Sequence, residues 1–104
     1  MKAKKMASRT YLITFDLPDP TLDLDELKAF IKTTPLFENW WNYIPGVFLV
    51  VSDRDASTIS EAVRQYTKDV RHLVIETNIA ESEGLLPERS WRWIRRRSKA
   101  PASA

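Results

Sequence analysis

The chain has no cysteine, two glycines and one histidine among its 104 residues. Without cysteine there is no disulfide, no thiolate nucleophile and no cysteine zinc site. With Gly46 and Gly84 alone, 38 positions apart, neither a dinucleotide-binding fingerprint nor a phosphate-cradling loop can be built, because each needs glycines a few residues apart. No nucleophile elbow, paired-histidine zinc motif or calcium loop occurs either. His72 has no second imidazole with which to share a metal. With no companion to orient it as a general base, it reads as a strand histidine with structural or surface duties. No apolar run approaches the roughly 20 residues needed to cross a bilayer. The opening "MKAKKMASR" is basic and lacks the apolar stretch of a secretory signal. The expectation is a cytoplasmic protein with no membrane partner.

What is present suits a single globular domain. Apolar residues make up 43% of the chain and charged residues 29%. A chain of this length buries roughly 60–70% of its extended surface, enough for a core. The formal net charge of +2 conceals a segregation. Residues 1–9 carry Lys2, Lys4, Lys5 and Arg9 with no acid. Residues 87–104 carry Arg89, Arg92, Arg95, Arg96, Arg97 and Lys99 against Glu88 alone. The body between is acidic, so the basic ends are the parts that seek anions.

Periodicity sets out the elements. Tyr11, Ile13 and Phe15 alternate with Leu12 and Thr14, which predicts a strand over 9–15. "DLPDPTLD" follows as a proline-punctuated loop. Asp23, three residues before Glu26, caps a helix over 24–33 whose apolar face is Leu24, Leu27, Phe30 and Ile31. "FENWWNYIPGVFLVVS" predicts two strands joined at Pro45-Gly46, with a loop longer than a tight hairpin's or bulged. "VFLVV" is apolar throughout and reads as a central strand covered on both faces. Adjacent Trp40 and Trp41 must face opposite sides of the sheet. A helix near 56–68 presents Ile59, Ala62, Val63 and Tyr66; "VRHLVIET" is a fourth strand. Pro87 opens a short basic helix, "PERSWRWIRRR".

The order strand, helix, strand, strand, helix, strand, plus an added helix, is the ferredoxin-like α+β pattern. It predicts an antiparallel four-stranded sheet with both main helices on one face. The other face needs the C-terminal helix, a partner chain or both to cover it. The division expected is a basic tail over 1–8, one domain over 9–97 including the basic helix, and a disordered tail over 98–104.

"YLITFDL", "WWNYI…FLVV" and "GLLPERSWRWI", in that order and spacing, resemble the SinR-like family of small proteins. That family is similar in turn to the CRISPR-associated small nuclease and integration-scaffold family, with virulence-associated endoribonuclease toxins as further relatives. The resemblance covers most of residues 9–95. It implies a ferredoxin-like symmetric homodimer. It also implies that Asp16, at the end of the first strand, faces its copy across the two-fold axis to bind a divalent metal. The family often has a serine just before the aromatic of its third strand; here Gly46 and Val47 precede Phe48. The SinR-like branch itself contributes no activity.

Two candidate sites follow. Asp16 and Asp19 are the candidate ligands for Mg2+ or Mn2+, with Asp16 as the candidate catalytic residue of a metal-dependent phosphodiesterase. The plain alternative is that Asp16 accepts backbone N–H bonds in its loop. Arg92, Trp93, Arg95, Arg96 and Arg97 are the candidate nucleic-acid residues, guanidinium groups holding phosphates and Trp93 stacking on an exposed base of RNA or DNA. Trp91, Ile94 and Arg95 share one helical face, and Trp93 lies about 200° from Trp91, which predicts that the two tryptophans cannot dock together. The same segment suits a dimer seam, since Trp and Arg are enriched at protein interfaces, and bases near a helix C-terminus also complement its dipole. The expected function is a nucleic-acid-associated dimer, either a divergent metal-dependent nuclease or an inactive relative. The alternative is a non-catalytic homodimeric protein-interaction module.

Overall fold

The computed structural model describes residues 7–98. The expected tails, 1–8 and 98–104, lie largely outside that range. Seven elements follow in order: β1 (Arg9–Phe15), α1 (Leu24–Thr33), β2 (Asn39–Asn42), β3 (Val47–Ser52), α2 (Ala56–Thr67), β4 (His72–Glu76) and α3 (Glu88–Ser98). The four strands form one antiparallel sheet in the order β2-β3-β1-β4. Two antiparallel steps make β1 and β2 parallel with β3 inserted between them. Likewise β3 and β4 are parallel with β1 between them. Each of α1 and α2 therefore bridges a pair of strands split by a third.

Side-chain alternation decides what each face carries. Tyr11, Ile13 and Phe15 point to one side of β1, and Phe48 and Val50 to the same side of β3. There they meet Leu27 and Ile31 of α1 and Ile59 and Val63 of α2, all fully buried. The rings of Phe15 and Phe48 meet edge to face at 6.0 Å. Leu12 and Leu49 are paired across the strands and point the other way, into a second cluster with Ile79 and Ile94. Trp40 joins the first cluster and Trp41 the second, as strand alternation requires.

Local chemistry ends the helices where the sequence indicates. Asp23 accepts the N–H groups of Asp25 and Glu26 at 2.9 and 3.2 Å, capping α1. Asp55 accepts that of Thr58 at 2.9 Å at the start of α2. That bond holds the Asp55 carboxyl below the usual carboxylate range. Between β2 and β3, Val47 N–H bonds the carbonyl of Ile44 at 2.9 Å, with Pro45 and Gly46 at the turn's centre. Gly46 has φ 83°, and a side chain there would also strike Leu17. The positive φ is what requires glycine here, since the Leu17 methyl at the end of a flexible side chain can give way. Among the described residues no helix is long and apolar enough to cross a membrane.

Two substitutions test this packing. Phe48→Ala removes a ring that is 1% exposed and should cost about 3–5 kcal/mol in urea unfolding. A loss under about 1 kcal/mol would place Phe48 outside the core. Lys68 ends α2 in the left-handed conformation, φ 61° and ψ 53°. Lys68→Gly should therefore stabilise the fold by about 0.5–1 kcal/mol, and destabilisation would contradict that geometry.

Candidate nucleic-acid interface

Helix α3 begins immediately after Pro87, whose carbonyl accepts from the N–H groups of Ser90 and Trp91. It lies on the sheet face that α1 and α2 leave open. Ile94 and Ser90 are buried beneath it, and Trp91 and Trp93 are half-buried around Ile94. Trp93 Nε1 donates to Asn39 Oδ1 on β2 at 3.0 Å. The Arg97 guanidinium lies over the Trp93 ring, 5.1 Å from its centroid. Both tryptophans therefore dock, contrary to the sequence expectation that only one would. On an ideal helix the docked arc runs from Trp93 through Ser90 and Ile94 to Trp91, about 160° wide, so the two rings straddle its centre.

The opposite face of α3 is cationic. Arg89, Arg92 and Arg96 stand at i, i+3 and i+7, within an arc of about 60°, and all are exposed. None of the three has a carboxylate partner among the described residues. Arg95 pairs with Glu88 at 2.5 Å, one side of this ridge. Arg97 is half-buried, and its Nε has no hydrogen-bond partner among the described residues. The five expected nucleic-acid residues thus divide. Arg92 and Arg96 lie on the ridge with Arg89, Arg95 is ion-paired beside it, and Trp93 with Arg97 is committed to docking. From Arg89 to Arg96 the helix rises about 10 Å, comparable with the rise across about three phosphates of one strand.

The rim acids part company. Asp16 follows the last residue of β1, and its N–H bonds the carbonyl of Arg71 at 2.9 Å. Its carboxylate is exposed, 3.9 Å from the still more exposed Arg71 guanidinium. Such a pair contributes about 0–1 kcal/mol. The turn-forming role offered for Asp16 falls instead to Asp19. Asp19 Oδ1 accepts from the Thr21 hydroxyl at 2.6 Å and from its N–H at 2.8 Å. Those two bonds, the hydroxyl's first, hold the Asp19 carboxyl below the usual carboxylate range. Among the described residues no three His, Cys, Asp or Glu side chains converge to hold a metal. Within one chain Asp16 offers a single carboxylate beside a guanidinium, and Asp19 is already engaged. One protomer alone does not fit a divalent ion, which needs oxygen ligands from a second chain or a substrate.

His72 is more engaged than its isolation in sequence suggests. Its Nδ1 is 3.1 Å from the Val70 carbonyl, which can only accept, so Nδ1 carries the proton. Nε2 then accepts from the Ser60 hydroxyl at 2.8 Å. The ring ties α2 to the start of β4. Twelve residues separate the pair, and no local pattern signals it. With Thr14, Asp16, Arg71 and Leu73, His72 lines a shallow depression of about 320 Å³.

No family model, curated protein or solved structure matches the chain.

Thr21→Val removes the hydroxyl bond to Asp19 and should move that carboxyl's titration up toward the ordinary range in an NMR pH series. The bond's stabilisation is present above the unfolded carboxylate pKa and is lost as pH falls through the lowered folded value. The wild-type advantage over the variant should fade accordingly on acidification. An unmoved Asp19 titration would contradict the assignment.

Proposed function

We propose that the protein is a nucleic-acid-binding homodimer whose α3 ridge holds the phosphate backbone of RNA or DNA. The observation that carries this is the row Arg89, Arg92 and Arg96, exposed, on one helical face and without carboxylate partners among the described residues. No ion pair or hydrogen bond among the described residues uses these three cations. Guanidinium groups spaced along a rigid helix suit an anion that recurs at intervals. The two split strand–helix–strand crossovers support a ferredoxin-like assignment, and with it the SinR-like resemblance drawn from the sequence. With Trp93 bonded to Asn39 and capped by Arg97, base stacking is not its role in this reading. Recognition is of the backbone and so nearly independent of sequence.

A second reading, metal-dependent cleavage at Asp16 with Mg2+ or Mn2+, has one observation in its favour. The Asp16 carboxylate stands exposed at the sheet's rim, with a cation and an imidazole around the same depression. It needs the Asp16 of a second chain close by. The rival without nucleic acid is a protein-interaction module in which the ridge meets an acidic partner surface.

Binding of labelled RNA and DNA should weaken steeply with salt. Replacing Arg89, Arg92 and Arg96 by Gln together should lower the slope of log affinity against log salt by about 2–3 and leave the circular dichroism unchanged. An unchanged slope would overturn the ridge as the binding site. Asp16→Asn should leave this binding intact. If cleavage requiring Mg2+ or Mn2+ accompanies binding, it should be lost in that variant alone.

A further inference from the structure

Among the described residues strand β4 has β1 as its one strand neighbour and forms an edge of the sheet. The hydrogen-bond phase identifies which backbone groups it leaves free. Asp16 N–H bonds the Arg71 carbonyl, and Thr77 N–H bonds that of Thr10. Residues 71, 73, 75 and 77 therefore spend their backbone groups on β1. The N–H and C=O groups of His72, Val74 and Glu76 point out along the free edge. Of the usual protections of such an edge one charged side chain remains, Glu76, which is paired with Arg9 at 3.1 Å. "HLVIE" has no proline, no lysine and no bulge. On the face shared with α3, Leu73 and Ile75 are 55% and 50% exposed.

We propose that this edge pairs with β4 of a second copy, antiparallel, about a two-fold axis at Val74. The strand is self-complementary in that register. Val74 and the partner's Val74 exchange two backbone hydrogen bonds, and His72 and Glu76 exchange theirs with the partner's Glu76 and His72. All the free groups of the edge are then satisfied. Leu73 stands directly opposite the partner's Ile75, so apolar side chains meet apolar ones on one face. On the other face His72 and the partner's Glu76 stand opposite one another across the seam, their side chains already engaged within each protomer by Ser60 and Val70 and by Arg9. The two sheets join into one of eight strands. Because the axis is perpendicular to that sheet, both α3 ridges stand on the same side of it.

The seam does not rest on the nucleic-acid reading, and either can fail without the other. It does bear on the metal reading. Asp16 sits beside Arg71, three residues from the axis, so the two copies lie about 20 Å apart along the strands. A dimer joined through β4 cannot share an ion between them, since a metal–oxygen bond is about 2 Å long.

The absence of native cysteine makes the register directly testable. Position 73 and the partner's position 75 form a non-hydrogen-bonded pair with Cα atoms about 4.5 Å apart, within disulfide range. Both side chains are exposed, so the double variant Leu73→Cys/Ile75→Cys leaves the protomer's core intact. Under mild oxidation it should form a covalent dimer on a non-reducing gel. Either single variant, whose two thiols lie on a diagonal, should crosslink far more slowly at the same concentration. In sedimentation velocity the unaltered chain should dimerise reversibly. Ile75→Lys, with unchanged circular dichroism, should weaken that dimer by about tenfold or more. A monomer at every soluble concentration would overturn the proposal. So would a dimer that neither crosslinks in the double variant nor responds to Ile75→Lys, since its seam lies elsewhere.

Discussion

Strand β3 is apolar on both faces, and the molecule's layout follows from covering it twice. Phe48 and Val50 are covered by α1 and α2, while Leu49 points to the side those helices leave open. A two-layer α+β fold would expose Leu49, Leu12 and Trp41 together. Helix α3 removes that exposure with Ile94 and the flanks of two tryptophans, assisted by Ile79 and Leu86 from the preceding loop. At about 25 cal/mol per Å2 of apolar surface, such a contact repays the ordering of a short helix that would be marginal alone.

Docking also orients the charge. A helix that commits Trp93, Ser90, Ile94 and Trp91 to the sheet has Arg89, Arg92 and Arg96 left for water. Arg97 contributes to the docking itself by covering Trp93. The cationic ridge is thus the outer side of the contact that completes the core. The cover is partial, however. It reaches Trp41 of β2, Leu49 of β3 and Leu12 of β1, and the apolar side chains of β4 on the same face remain exposed. One hydrophobic requirement accounts for both an outward cationic ridge and an uncovered strand.

Much of this was legible in the sequence. Strict alternation located β1, unbroken apolarity marked β3 as a central strand, and Asp23 announced α1. Pro45-Gly46 forecast a connection either longer than a tight hairpin's or bulged, and it is the longer one; the tryptophan pair divided between faces as two-residue periodicity demands. The docking of α3 was read wrongly because a wheel of so few residues gives no fixed centre. Only contact with Asn39, 54 residues away, shows that Trp93 belongs to the sheet. The partnership of Ser60 with His72 depends on how α2 lies against β4, which no local pattern encodes. Asp16 and Asp19 look alike in sequence, and only the position of the Thr21 hydroxyl separates a turn residue from an exposed rim carboxylate.

The central claim is that α3 stays docked through its tryptophans while its outer arginines meet phosphate. A chemical-shift titration of the isotopically labelled protein with a short oligonucleotide tests it most directly. The account predicts that the Arg89, Arg92 and Arg96 side-chain signals move with added nucleic acid while the Trp93 indole N–H, held by Asn39, stays in place. A large shift of that indole signal, or arginine signals that never move, would contradict it.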